Sequence, residues 1–138
     1  MLFRSASKFT TPGVNWGFFC STPGVAVGRN LLRKHAMELL LTGDVIGPQR
    51  ALELGLVNRV VDQPQLLDEA IKLAQAILKN GPLAVEAALE CVVRGMQLPL
   101  DQGLRFESGR FGMVAATEDM HEGLQAFLDK RKPDFKRR

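Results

Sequence analysis

The sequence predicts a mostly α-helical chain with a few short strands, and three features predict it. From Leu66 onward, apolar residues recur three and four apart, the spacing that gathers them on one face of a helix. Between Ala36 and Val61, the run AMELLLTGDVIGPQRALELGLVNRVV reads as helix, turn, helix, glycine and strand in unbroken succession. Between Phe9 and Gly24, by contrast, glycines and prolines interrupt an aromatic run, which argues for turns and extended backbone.

Taken in order, Met1 to Ser5 has no clear relation to the rest of the chain and is too short for the apolar region of a signal peptide, so residues 1–5 read as a non-native scar. Pro23-Gly24 is expected to open a helix over Val25 to Arg33, whose unpaired first-turn amides suit an anion or a thioester. In the next helix Met37, Leu40 and Leu41 are expected to face inward and Glu38 outward, with Gly43 in a left-handed C-cap. Pro48 fits the first turn of a short helix reaching Leu54, where its missing N–H costs nothing. Gly55 closes that helix, and the β-branched run Leu56 to Val61 follows as a strand that stops at Asp62 and Pro64. Residues 6–62 thus form one region and residues 63–138 a helical one.

Within the helical region, Leu66, Ala70, Leu73, Ala74 and Ile77 form a stripe, with Asp68 and Lys72 spaced for an ion pair outside it. Asn80-Gly81-Pro82 separates this helix from one that turns Val85, Leu89 and Val92 inward and ends at Gly95. Pro99 opens a third helix aligning Leu104, Phe111 and Ala115. Its Gly103, Gly109 and Gly112 each weaken it by about 1 kcal/mol relative to alanine and mark close packing against a neighbour. Thr117 is expected to cap the last helix, with Glu118 and Asp119 at its positive end and Met120, Leu124, Phe127 and Leu128 as its buried stripe.

At 138 residues the chain is long enough to bury a real core. Its 46% hydrophobic and 24% charged residues are those of an ordinary soluble globular protein, and no apolar run is long enough for a membrane span. Cys20 and Cys91 lack any C-x-x-C or His-rich setting, so both read as buried thiols rather than metal ligands or a disulfide. The net charge of +3 is concentrated at Lys130, Arg131, Lys132, Lys136, Arg137 and Arg138. Such a tail suits phosphates of a nucleic acid or a phosphorylated cofactor, or is simply a solvated helix end. A nucleic-acid binder would also need a recognition helix with base-reading side chains, and none is legible.

Few residues offer chemistry on their own. His35 and His121 fall on helices with no nucleophile at a recognisable spacing, Glu107 sits among polar neighbours, and Asp44 belongs to a turn. No G-x-G-x-x-G, Walker or zinc motif occurs.

Several separate motifs, in order, nevertheless resemble one family. SKFTTPGVNWG, AMELLLTGDVIGPQRALELGLVNRVV, the ATED of Ala116 to Asp119, and EGLQAFLDKRKPDF are together similar to the C-terminal half of the enoyl-CoA hydratase/isomerase (crotonase) superfamily. The run TPGVNWGFFCSTPG points to one subgroup within it. The resemblance implies the C-terminal part of an α/β crotonase, or ClpP-like spiral, fold: the end of a spiral of ββα units followed by a helical cap. It implies a CoA-thioester-handling hydratase or isomerase of fatty-acid metabolism, in which two backbone N–H groups polarise the thioester carbonyl. Because family members run about twice this length, the chain is expected to be a fragment lacking those amides and one catalytic glutamate, and inactive alone.

The same resemblance locates the expected site residues. The second hydratase glutamate falls at Gly13, which has no side chain to move a proton, and the isomerase aspartate falls at Asn15, an amide that is no base near neutral pH. Catalytic residues are therefore not identifiable within the chain, and an acyl-CoA-binding homologue without hydratase activity is the alternative reading. Phe127 and Lys130 match positions that reach the CoA of a neighbouring subunit, and Gly24 marks the helix start that suits a thioester. Acyl-CoA or enoyl-CoA is the implied ligand, with coenzyme A as part of the substrate, no covalently bound cofactor, no metal, no nucleic acid and no membrane. A homo-oligomer, trimer or hexamer, is the implied assembly.

Overall fold

The computed structural model describes residues 2–138 and divides the chain into two compact units, residues 1–72 and 73–138. Helix α4, Leu66–Leu78, runs through the division, whereas the sequence places its boundary in the turn before α4.

In the first unit, strand β1 (Leu2–Arg4) lies parallel to β2 (Arg59–Val61), pairing Leu2 with Arg59, Phe3 with Val60 and Arg4 with Val61. Of the stretch expected to be a scar, Met1 lies outside the described residues; Phe3 stacks edge-on against Phe9 at 4.8 Å, and the Ser5 N–H donates to Val61 O at 3.0 Å. A 3₁₀ turn at Pro12–Trp16 comes next, then helices α1 (Ser21–Asn30), α2 (Arg33–Thr42) and α3 (Pro48–Glu53). The core gathers Val27 and Leu31 with Ala36 and Leu39 of α2, and Leu40, Ile46, Leu54 and Leu56 pack around it. Burying a side chain such as Leu39 contributes roughly 1.5–3 kcal/mol.

Local signals located the joints of this unit well. Gly43 caps α2 at φ 68°, Pro48 stands in the first turn of α3, and Gly55 turns the chain at φ 78°. Three expectations need correction. Helix α1 starts at Ser21, not at Val25, because Pro23-Gly24 forms its first turn rather than preceding it, and Arg33 opens α2 instead of closing α1. The buried face of α2 is Ala36 and Leu39, while Met37 and Leu41 are exposed. Strand β2 is shorter than expected because the Leu56 and Val57 amides both donate to Ala51 O, closing α3 before the chain can extend.

The second unit holds the end of α4 and helices α5 (Pro82–Val93), α6 (Leu100–Ala115) and α7 (Glu118–Leu128), with a 3₁₀ turn at Gly95–Gln97. Here the expected faces are rotated. Ala87 is buried on α5 while Leu89 and Val92 are exposed, and Leu104 and Phe111 of α6 are exposed too. Glu90 of α5 pairs instead with Arg110 of α6. Of the three glycines on α6, only Gly103 is closely packed, since a Cβ there would meet Gly95 O at 3.1 Å. Lys72 pairs with Glu69 at 2.6 Å rather than with Asp68, holding the Glu69 carboxyl below and the Lys72 ammonium above their ordinary ranges. Among the described residues, no helix is long and apolar enough to cross a membrane.

Helix α7 is the clearest departure. Thr117 caps it as expected, its hydroxyl accepting from the Met120 N–H at 3.2 Å. Yet Met120, Leu124, Phe127 and Leu128 are exposed, and the buried residues are Asp119 and Ala126. The reason is that residues 131–138 fold back as a strap alongside α7, so the helix presents its small and acidic face to its own tail.

Candidate functional site

The first group of candidate residues is held by the turn between β1 and α1. Threonines fasten this turn to α2: the Thr10 hydroxyl donates to Gly43 O at 2.9 Å, and the buried Thr11 hydroxyl donates to Leu39 O at 2.7 Å. Phe9 and Ile46 exchange backbone hydrogen bonds in an antiparallel bridge. So pinned, Pro12–Trp16 winds into its 3₁₀ turn and sets Gly13 inward and Asn15 outward.

Gly13 is buried against the returning chain. Its N–H donates to Cys20 Sγ at 3.2 Å, and its carbonyl accepts from the Phe18 N–H at 3.2 Å. A Cβ at this position would lie 2.8 Å from both Phe19 C and Cys20 N, closer than backbone atoms allow. A glutamate here is thus not merely absent, since the local packing leaves it no space. Asn15 lies over the cap of α2: an ideal Cβ on Gly43 would come within 2.8 Å of Asn15 Nδ2 and 3.0 Å of Oδ1. An amide so placed can donate or accept a hydrogen bond but does not take a proton near neutral pH. Beside it stand the exposed Trp16, Phe18 and Phe19, with Trp16 and Phe18 rings 6.2 Å apart.

Gly24 occupies the first turn of α1, where its N–H donates to Cys20 O at 3.2 Å. That amide is engaged and Pro23 has none, so the first-turn donors this helix start can offer are those of Ser21 and Thr22. Cys20 therefore ties Gly13 and Gly24 together, one through its sulfur and the other through its carbonyl. Both cysteines are half-buried rather than buried.

Phe127 and Lys130 stand in the second unit, at the C-terminal end of α7. Phe127 is 78% exposed, far from the core position that helical spacing suggests. Lys130 takes a left-handed conformation, φ 54°, while its N–H donates to Phe127 O and that of Arg131 to Ala126 O, the paired bonds of a Schellman cap. A lysine in this conformation lacks the freedom a glycine has there.

Most of the tail's charge is consumed internally. Arg131 grips Glu122 through its two terminal guanidinium nitrogens, at 2.6 and 2.8 Å, and the Asp134 N–H donates to the same carboxylate at 2.8 Å. Arg131 first, then that amide, lower the Glu122 carboxyl from its ordinary 4.5 to about 2. Asp119 accepts from the Lys136 and Arg137 N–H groups at 2.6 and 2.9 Å, and its own N–H donates to Arg138 O at 2.8 Å. Lys136 pairs with Asp134, Arg137 with Glu86 and Arg138 with Glu118. Lys130 and Lys132 remain without an acidic partner among the described residues. Sequence reasoning placed Asp119 in the first turn of α7 but missed the strap it holds; the signal was Phe135, an aromatic in a charged run beyond Pro133.

The remaining candidates are structural. The Nδ1 of His35 lies 3.8 Å from Glu38, His121 is exposed with Nδ1 2.9 Å from Thr117 O, Glu107 is exposed, and the Asp44 N–H donates to the Thr42 hydroxyl.

Comparison with known proteins gives this geometry its context. The sequence model of the enoyl-CoA hydratase/isomerase family matches residues 1–138. The mitochondrial enoyl-CoA hydratase domain-containing protein 3 of Rattus norvegicus is 43% identical over 129 residues, covering 92% of this chain and 42% of that protein. A crotonyl-CoA hydratase of Syntrophomonas wolfei is 41% identical over 95% of this chain and 51% of its own length. Among solved structures, an enoyl-CoA hydratase from Bacillus anthracis superposes with a TM-score of 0.94 at 34% identity, covering 99% of this chain and 54% of that one. The chain spans about half the length of the relatives it matches.

Proposed function

Because the chain belongs to the enoyl-CoA hydratase/isomerase (crotonase) family, we propose that it is the CoA-facing C-terminal part of a protein that binds acyl-CoA or enoyl-CoA thioesters. The observation that carries the proposal is the family match over the whole chain, joined to the cationic end of α7. In this reading Lys130, free of any acidic partner among the described residues, meets a phosphate of the CoA held by a neighbouring subunit as a point charge, and the exposed Phe127 ring covers that nucleotide. Independently, the first-turn amides beside Gly24 suit a thioester, and a trimer or hexamer would bring the CoA of a neighbouring subunit to Lys130. Calorimetry with CoA and butyryl-CoA tests it. Micromolar to millimolar binding that Lys130→Ala weakens about tenfold, the loss of one charged contact, supports the reading. Absence of binding to this chain removes it.

A second reading, binding without hydration, is favoured by Gly13. Hydration needs a positioned carboxylate at this point, and the Phe19–Cys20 backbone occupies the space its side chain would need. Loss of the conjugated thioester absorbance of crotonyl-CoA separates the two readings, since turnover by the full-length parent would restore the hydratase and binding alone would retain the second.

A further inference from the structure

Within the second unit, a cavity of about 740 Å³ opens between the corner joining α4 to α5 and the C-terminal strap. Leu78, Pro82, Val85 and Phe135 form its apolar wall. Phe135 is seated by two glycines, since a Cβ on Gly81 or Gly123 would come within 3.5 or 3.3 Å of its ring. Five charged residues also line the cavity, and their pairing is uneven. Glu86 is taken by Arg137 at 2.6 Å, and Asp134 by Lys136 at 2.7 Å. Lys79 and Lys132 have no acidic partner among the described residues. Neither Phe127 nor Lys130 lines the cavity.

From this we infer that the groove binds an amphipathic anion, an aliphatic chain that ends in a carboxylate. The volume is that of small-molecule sites, whose walls are mostly apolar with a few polar groups that fix orientation. A chain laid along Leu78, Val85 and Phe135 removes apolar surface from water, and its carboxylate neutralises Lys79 and Lys132. A neutral alkyl chain would leave both ammonium groups unmatched. A bare polyanion would leave the wall wet and would meet Glu86 and Asp134.

Titration of the 138-residue chain with decanoate below its micelle-forming concentration, followed by calorimetry and by chemical-shift changes at Val85 and Phe135, tests the assignment. Decanoate binds saturably, decanol binds several-fold more weakly, and inorganic phosphate does not perturb these residues. Lys79→Gln with Lys132→Gln, both on the surface and checked for unchanged circular dichroism, weakens decanoate about five- to tenfold and leaves decanol unaffected. Leu78→Asp, also at an exposed position, weakens both amphiphiles by opposing the charge and wetting the wall. The proposal is overturned if decanoate fails to bind, binds no better than decanol, or is indifferent to loss of the two lysines.

Discussion

At the residue scale, Gly13 shows a glycine demanded by crowding rather than by dihedral freedom. Gly13→Ala is expected to lower the unfolding free energy by about 1–3 kcal/mol in urea titration, the usual cost of forcing atoms into a packed site. Gly13→Glu is expected to be worse still, and to give no hydratase turnover. Thr11 makes the complementary case: Thr11→Val removes one of two bonds to Leu39 O, which keeps the Gly43 N–H at 3.2 Å, and should cost about 0.5–1.5 kcal/mol, measurable in the same titration. At Lys130 the direction reverses. Lys130→Gly relieves the left-handed backbone and should raise stability by up to about 1 kcal/mol, while calorimetry should show weaker CoA binding if the ammonium meets a phosphate. Gly43, Pro48 and Thr117 were legible in the sequence because a cap or a first turn is decided by neighbours in the chain. The packing of Gly13 against Cys20 was not, because nothing in a local pattern says which later segment will return to it.

Elements fail to declare their faces for a related reason. Spacing marks which residues share a side of a helix, but the partner decides which side is buried, and α2, α5 and α7 each bury alanine where longer side chains line the competing stripe. For α7 that partner is its own tail, held in part by the Glu122 carboxylate. Glu122 has its carboxyl lowered in the folded chain, so its contribution is fully present above its ordinary value of 4.5 and is lost as pH falls toward about 2. An NMR titration should show the Asp134 amide shifting together with the Glu122 carboxyl across that window. Glu122→Gln should abolish the coupled shift and speed amide exchange in residues 131–138 at neutral pH.

For the whole molecule, family and order of elements were the legible part, and the surface was the illegible one. Trp16, Phe19, Met96, Leu100 and Phe111 are all exposed by about 70% or more, far beyond the scattered apolar residues a monomer usually shows. Periodicity marks such residues as apolar without saying whether this chain or another covers them. Sedimentation velocity should therefore show the isolated chain associating as its concentration rises, and a crotonyl-CoA assay should show no turnover by it. The strap, finally, bears on how related sequences diverge. Asp119 holds it by the N–H groups of residues 136 and 137, and every amino acid except proline presents that group. The side chain at 136 is therefore free to drift while the anchorage persists, whereas 137, left-handed at φ 62°, tolerates fewer residues, so a comparison of residue identities at 136 would overlook a tail whose path is preserved.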